Sequence, residues 1–306
     1  MNQNFGDRWP DMATDNSVHD VVTASHPVVA LHCSGANSRQ WRQLAATLGP
    51  CFNVIAPGLI GSTEGTGWCG SHAFGLMDEA QAIIELIDEL GQPVHIVGHS
   101  YGGGVALKIA TEHPRHVASL ALYEPSAFHI LRQAGPEARE VLAEIEQLAR
   151  AVGEGLVSGA YRQAAQEFVD YWNGHEAWAT MRSELRDALV KWLPKAPLDF
   201  QALIMDDTPL DRIGRITCPV LLLRGEYARK PSADICDHLA ELLPDQRTVV
   251  VAGAGHMGPI SHADEVNDLV RAHLLSQLVA RPEAQRLETI RSDRNAFHRR
   301  LPDRAA

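Results

Sequence analysis

Long apolar runs are missing from this 306-residue chain, which excludes a helix spanning a bilayer. The first twenty residues, Met1 to Asp20, are polar and acidic and lack the apolar core of a secretory leader. Cysteine is scarce. The five thiols, at positions 33, 51, 69, 218 and 236, are odd in number, widely spaced and free of any C-x-x-C, which excludes a disulfide framework and points to reduced thiols. A cytoplasmic location is therefore expected. Basic charge is also short: 27 Lys and Arg face 38 Asp and Glu, giving a net charge of −11 that argues against a nucleic-acid partner. Metal-ligand spacing is absent as well, since there is no H-E-x-x-H and His113 and His116 lack a third ligand nearby. Gly65-Thr66-Gly67-Trp68-Cys69-Gly70 matches G-x-G-x-x-G but neither directly follows a strand nor opens a helix, so no dinucleotide is expected. No internal repeat is visible.

What is present is 45% hydrophobic content in a length that suits one large domain, or a domain carrying an insertion. From residue 21 strand-like and helix-like stretches alternate, the pattern of a parallel sheet covered by helices on both faces. Strands are expected at Pro27–His32, Asn53–Ala56, Val94–Val97, Val117–Leu122, Pro219–Arg224 and Arg247–Val251. Leu76, Ala80, Ile83, Ile84 and Ile87 recur at helical spacing, and Gly91 with Pro93 ends that helix. The loop from Pro57 to Gly70 is too long for a plain connection and is expected to border a site.

Between Ser126 and about Asp207 no strand is expected. Helical stretches at Pro136–Val152, Ala160–Tyr171 and Ala177–Trp192 carry Trp172, Trp178 and Trp192, and read as an aromatic-bearing cap over residues 126–207. Residues 1–125 and 208–306 would form the core, with a last helix at about Ala263–Leu278. The ends, 1–20 and 281–306, are expected to be loosely ordered.

The chain is organised around Gly98-His99-Ser100-Tyr101-Gly102, set between the apolar run Val94–Val97 and the helical run that starts at Gly103. Glycines two before and two after Ser100 let the backbone turn sharply, and the following helix aims its N-terminal amides at whatever bonds to the hydroxyl. Strand, G-x-S-x-G and helix together make a nucleophile elbow. A serine hydroxyl needs a base within reach and a third group to orient that base. His256 is the candidate base, because it closes the small-residue loop Ala252-Gly253-Ala254-Gly255 after a late strand. His99, inside the tight turn, reads as structural.

On Gly98-His99-Ser100-Tyr101-Gly102-Gly103 and Ala254-Gly255-His256-Met257 the chain resembles the α/β-hydrolase superfamily, and specifically its capped, serine-dependent esterase-like branch. The likeness covers about residues 26 to 280. It implies an α/β fold with a mostly parallel central sheet, Ser100 as nucleophile, His256 as general base and the Tyr101 amide as one oxyanion donor. Leu31-His32-Cys33-Ser34-Gly35 resembles the family's His-Gly-X segment, with Cys33 where glycine is usual, and makes Ser34 the second donor.

The acid departs from the family's common pattern. Most relatives place an Asp after the strand that corresponds to Pro219–Arg224, where this chain has Ala228; some haloalkane dehalogenases place it after the preceding core strand, where this chain has Glu124. Glu124 is the first choice, ahead of Glu226, with Asp234 or no acid as the remaining readings. The resemblance implies a cofactor-independent and metal-free hydrolase that cleaves a small or medium, fairly apolar ester through an acyl-enzyme. Carbon–carbon hydrolysis of a diketone, thioester hydrolysis and acyl transfer stay open on the same fold, as does a non-catalytic small-ligand binding or receptor module. The expected partner is a small-molecule ester, with neither nucleic acid nor membrane involved, and a homodimer is left open.

Overall fold

The computed structural model describes residues 25–62 and 64–279; the terminal segments expected to be loosely ordered lie outside the described residues. Six strands, β1 (His26–Leu31), β2 (Phe52–Ile55), β3 (Val94–His99), β4 (Val117–Tyr123), β5 (Val220–Gly225) and β6 (Gln246–Val251), form one sheet in the order β2-β1-β3-β4-β5-β6. Every pairing is parallel. The central strands are near-continuous apolar runs, as a sheet covered on both faces requires.

Side chains alternate along each strand, and that alternation divides the core in two. Val29, Leu31, Ile96, Leu120 and Leu122 pack on one face with helices α2 (Leu76–Leu90) and α3 (Tyr101–Glu112). Val28, Ala30, Val97, Ala121 and Leu221 pack on the other with Trp41, with Leu44 and Leu48 of α1 (Arg42–Leu48), and with Val266, Val270 and Leu274 of a helix over residues 263–279.

The segment between β4 and β5 contains helices and no strand, and its pieces differ from the sequence reading. It runs α4 (Phe128–Gln133), α5 (Pro136–Val157), α6 (Tyr161–Asn173), α7 (Ala177–Thr180), α8 (Ser183–Trp192), α9 (Ala196–Met205) and α10 (Leu210–Ile213). The single helix expected over Ala177–Trp192 is broken, because Met181 and Arg182 are extended, with ψ of 142° and 144°. Helix α9 has no counterpart among the expected helices. It is apolar over most of its circumference and buries Phe200, Ala202, Leu203 and Ile204, so it shows little of the one-sided pattern by which a surface helix is recognised. Helix α11 (Lys230–Leu242) completes the core between β5 and β6, and the short α12 (Gly258–Ser261) follows β6. No helix among the described residues is long and apolar enough to cross a membrane.

Parallel strands carry their C-terminal ends to one edge. The register pairs Leu31 with Gly98, His99 with Tyr123, and Gly225 with Val251, so the loops after β1, β3, β4, β5 and β6 meet there. At the crossing of β1 and α3 the backbones touch: a Cβ on Gly102 would collide with the Leu31 carbonyl oxygen and stand 2.7 Å from that of His32. Gly102→Ala is expected to destabilise the protein by about 3 kcal/mol, the upper part of the range for overpacking because backbone rather than side chain must yield. Denaturant unfolding checks this, and an unchanged midpoint would contradict it.

Candidate active site

Ser100 sits between β3 and α3 with φ 53° and ψ −116°, a conformation that costs a non-glycine residue free energy and persists only where its surroundings impose it. They do so here through four hydrogen bonds. The Ser100 amide donates to Tyr123 O at 3.0 Å, and its carbonyl accepts from Gly103, Gly104 and Ser126 amides at 2.9, 3.1 and 2.9 Å. The turn is so tight that a Cβ on Gly98 would stand 2.7 Å from Gly102 O.

The loop after β6 brings His256 to this turn, with Nε2 3.0 Å from Ser100 Oγ. On its other side Nδ1 lies 2.7 Å from Glu124 Oε2. Glu124 follows β4 at φ 41° and has no exposed surface. Its second oxygen, Oε1, accepts the Gly225 amide at 2.9 Å, so both carboxylate oxygens have partners. With Nδ1–H donating to Glu124, Nε2 is left as acceptor for the Ser100 hydroxyl. Of the sequence candidates, then, Ser100, His256 and Glu124 lie in one hydrogen-bonded chain. Glu226 and Asp234 do not join it. Glu226 is exposed and accepts the Gly253 amide at 2.8 Å, shaping the loop that carries His256; Asp234 is paired with Lys230 at 2.8 Å.

Several groups that support His256 are not among the sequence candidates. Trp172, at the end of α6, stacks on the imidazole with ring centroids 4.4 Å apart and planes 26° apart. Tyr123 donates its hydroxyl to Gly255 O at 2.7 Å. His99, expected to be structural, bonds through Nε2 to the His256 carbonyl at 2.8 Å, while Gln40 Nε2 stands 3.0 Å from its Nδ1. Burial holds the His99 pKa well below the ordinary value, which keeps it neutral with Nε2–H donating and Nδ1 accepting. Ser126 Oγ lies 3.1 Å from Ser100 Oγ, and its only mark in the sequence is its place two residues after Glu124.

The loop after β1 shares the cavity wall with Ser100. His32 is kept neutral by burial; its Nδ1–H donates to Cys33 O at 2.8 Å, and its Nε2 accepts the Leu59 amide at 3.2 Å. The Cys33 amide donates to Gln40 Oε1 at 3.2 Å. Among the described residues no hydrogen-bond partner occurs for the amides of Ser34 and Tyr101. The Ser34 hydroxyl is occupied, donating to Asp199 Oδ2 at 2.7 Å. Phe168, Trp172, Trp192, Phe200 and Leu203 close over Ser100 and leave a cavity of ≈ 50 Å³. An open groove of ≈ 570 Å³ adjoins it, with Cys33, Ser34 and Met257 in both walls. Among the described residues no group of three or more His, Cys, Asp or Glu is placed to hold a metal ion.

Residues 28–269 match the alpha/beta hydrolase family, and the chain belongs to it; it is a hydrolase. Among curated proteins it is similar to the dihydrolipoyllysine-residue acetyltransferase component of the acetoin cleaving system of Cupriavidus necator, at 27% identity over 81% of this chain. The match spans only 63% of that longer protein. It is likewise 27% identical to the pimeloyl-[acyl-carrier protein] methyl ester esterase of Chromobacterium violaceum, over 82% of this chain and 94% of that one. Among solved structures, a thermophilic esterase from Thermogutta terrifontis shares the fold with a TM-score of 0.63 at 22% identity, over 84% of this chain and 92% of that one.

Cys33 stands in the cavity wall, yet burial pushes its thiol up to about 12, so at neutral pH it is no thiolate nucleophile. Cys218 is pushed up to about 12 by burial as well, whereas a hydrogen bond with Ser71 lowers the exposed Cys69. Alkylation of the native protein with iodoacetamide at pH 7.5, read by peptide mass spectrometry, is expected to modify Cys69 first and to spare Cys33 and Cys218; early modification of Cys33 would contradict this assignment.

Proposed function

We propose that this hydrolase cleaves a carboxylic ester with a short, apolar acyl group through an acyl-enzyme on Ser100. The observation that carries the reading is the chain Glu124–His256–Ser100, with spacings of 2.7 and 3.0 Å, at the mouth of an apolar cavity. As Ser100 Oγ attacks the ester carbonyl, His256 Nε2 takes the hydroxyl proton, and Glu124 stabilises the imidazolium that forms. Negative charge then develops on the carbonyl oxygen, where the Ser34 and Tyr101 amides would receive it; such a donor is worth about 3 kcal/mol in the transition state. His256 returns the proton to the departing alkoxide, next takes one from water as that water attacks the acyl carbonyl, and gives it to Ser100 Oγ as the acyl–Oγ bond breaks and the acid leaves. The esterase likeness of the Chromobacterium protein supports the same chemistry.

The cavity, at ≈ 50 Å³, has room for only a few waters, each needing about 10–15 Å³ of such space, which favours an acyl group of a few carbons. The alcohol portion would lie in the wider groove. On nitrophenyl esters kcat/KM is expected to peak between acetate and butyrate, and a maximum at decanoate would overturn the short-acyl reading.

Intact-mass detection of a fluorophosphonate adduct tests the nucleophile and its base, because only an activated serine reacts readily. One adduct is expected, absent from Ser100→Ala and His256→Ala. Glu124→Gln should lower kcat by about 10³- to 10⁴-fold by favouring the wrong imidazole tautomer, while Glu226→Gln should change it less than threefold, roughly what a surface substitution does. The reverse ranking would move the acid to Glu226.

A further inference from the structure

The cavity wall hides a second set of charges that the reaction described above does not use. Lys195, Asp199 and Glu79 are all buried, 7%, 4% and 1% exposed, and they lie within one network. Lys195 Nζ donates to Asp199 Oδ1 at 2.6 Å and stands 3.4 Å from Glu79 Oε2. It also lies over the rings of Phe74 and Tyr101, at 4.4 and 5.0 Å from their centroids. Glu79 Oε1 accepts the Ile60 amide at 2.7 Å. Two ends remain: Asp199 Oδ2 accepts the Ser34 hydroxyl at 2.7 Å, and Glu79 Oε2 accepts the Tyr101 hydroxyl at 2.8 Å.

These ends are the two residues whose amides face the developing oxyanion in the reading above. We infer that the buried chain Ser34–Asp199–Lys195–Glu79–Tyr101 is a positioning device that sets the spacing of the two oxyanion donors. The inference rests on that reading of Ser34 and Tyr101. The donors belong to separate elements, the loop after β1 and the first turn of α3, and an oxyanion site works only when both amides stand about 2.7–3.1 Å from the position the oxyanion will occupy. Backbone pairing of Leu31 with Gly98 brings the elements together, but the loop runs beyond that last paired residue and needs a further tie. A chain of charged hydrogen bonds excluded from water is a stiff tie, since breaking any link leaves a buried charge without its partner.

The chain has a second consequence. Lys195 and Asp199 come from the helical segment between β4 and β5, so the same segment that covers Ser100 also holds the donors apart. Asp199 is part of the cavity wall, and Lys195 neutralises it where negative charge will develop. Burial raises the pKa of both Asp199 and Glu79, with Lys195 the largest of the opposing influences in each case.

The test uses the full chain and the rate of fluorophosphonate adduct formation, in which the phosphonyl oxygen occupies the oxyanion position, together with kcat and KM for nitrophenyl acetate. Ser34→Ala and Tyr101→Phe each delete one hydroxyl and keep both amides, so the fold, checked by melting temperature, is expected to stand. Each should slow adduct formation and kcat about tenfold with KM within twofold, a fraction of what loss of a whole donor costs. Combined, they should slow it by less than the product of the two, because they release opposite ends of one chain. Lys195→Met should act more strongly, about 10²-fold, and Lys195→Arg should restore most of the rate. Wild-type adduct rates in folded Tyr101→Phe and Lys195→Met, or effects that multiply in full, would overturn the inference and leave the nucleophile in place. Absence of any adduct in the unaltered protein would remove the nucleophile reading and this inference with it.

Discussion

A carboxylate with no exposed surface is the constraint on which this site depends. Moving an ionised carboxylate out of water is costly unless both oxygens are hydrogen-bonded and a positive or polarisable partner stands close. Glu124 meets that demand with the Gly225 amide on one oxygen and His256 on the other. Its own amide donates to Leu223 O at 2.9 Å. One side chain at the end of β4 therefore locks the end of β5 and the loop after β6 into a single arrangement. The imidazole is held from the remaining sides by Trp172 on its face and His99 on its carbonyl. Removing the carboxylate would release more than a hydrogen bond to one ring.

Parallel topology explains why so short a list of residues can converge. In an antiparallel sheet neighbouring strands end at opposite edges, whereas here every strand runs the same way and delivers its following loop to the same edge. The strand order places β3 and β4, which supply Ser100 and Glu124, at the centre of the sheet, flanked by β1 with Ser34 and by β5 with the Gly225 amide. Rigid central strands keep the strained Ser100 backbone in place, because its amide and carbonyl are both tied to the chain around the end of β4 or to its own helix.

How much of this is legible in the sequence follows from the range of each signal. The six strands and the elbow are local signals: an apolar run, two glycines and a helical pattern within a short stretch of chain. Ser100 and His256 can therefore be singled out from their neighbours in sequence. Glu124 is legible only by contrast, through Ala228 where an acid is common, and order along the chain does not tell it from Glu226, since both precede the histidine. What separates them is burial: Glu124 lies beneath the loops, while Glu226 faces solvent and accepts a loop amide. Lys195 and Asp199, four residues apart on one helical stretch, read in the sequence as an ordinary i,i+4 pair. Nothing local joins that pair to Glu79 or to Ser34, which lies 165 residues from Asp199. Helix α9, apolar nearly all round, offers no stripe from which its orientation could be deduced, and the break at Met181 and Arg182 has neither glycine nor proline to mark it.

The helical segment after β4 covers the cavity, yet its hydrogen bonds and ring stacking argue for a larger part. Trp172 from α6 lies on the imidazole, and Asp199 from α9 binds the side chain of Ser34, so the segment touches both His256 and the loop after β1. Trp172 and Asp199 also line the cavity that would take the acyl group. In the proposed reaction, substrate fit and reaction geometry thus share residues. Enlarging the cavity by trimming Trp172 would loosen His256, and exchanging Asp199 for an apolar residue would free Ser34 while leaving Lys195 and Glu79 to rearrange. Phe168, Phe200 and Leu203 line the same cavity without a hydrogen bond to either set. Their size can change with less effect on the reacting groups, because trimming an apolar side chain from the wall leaves no buried polar atom unpaired.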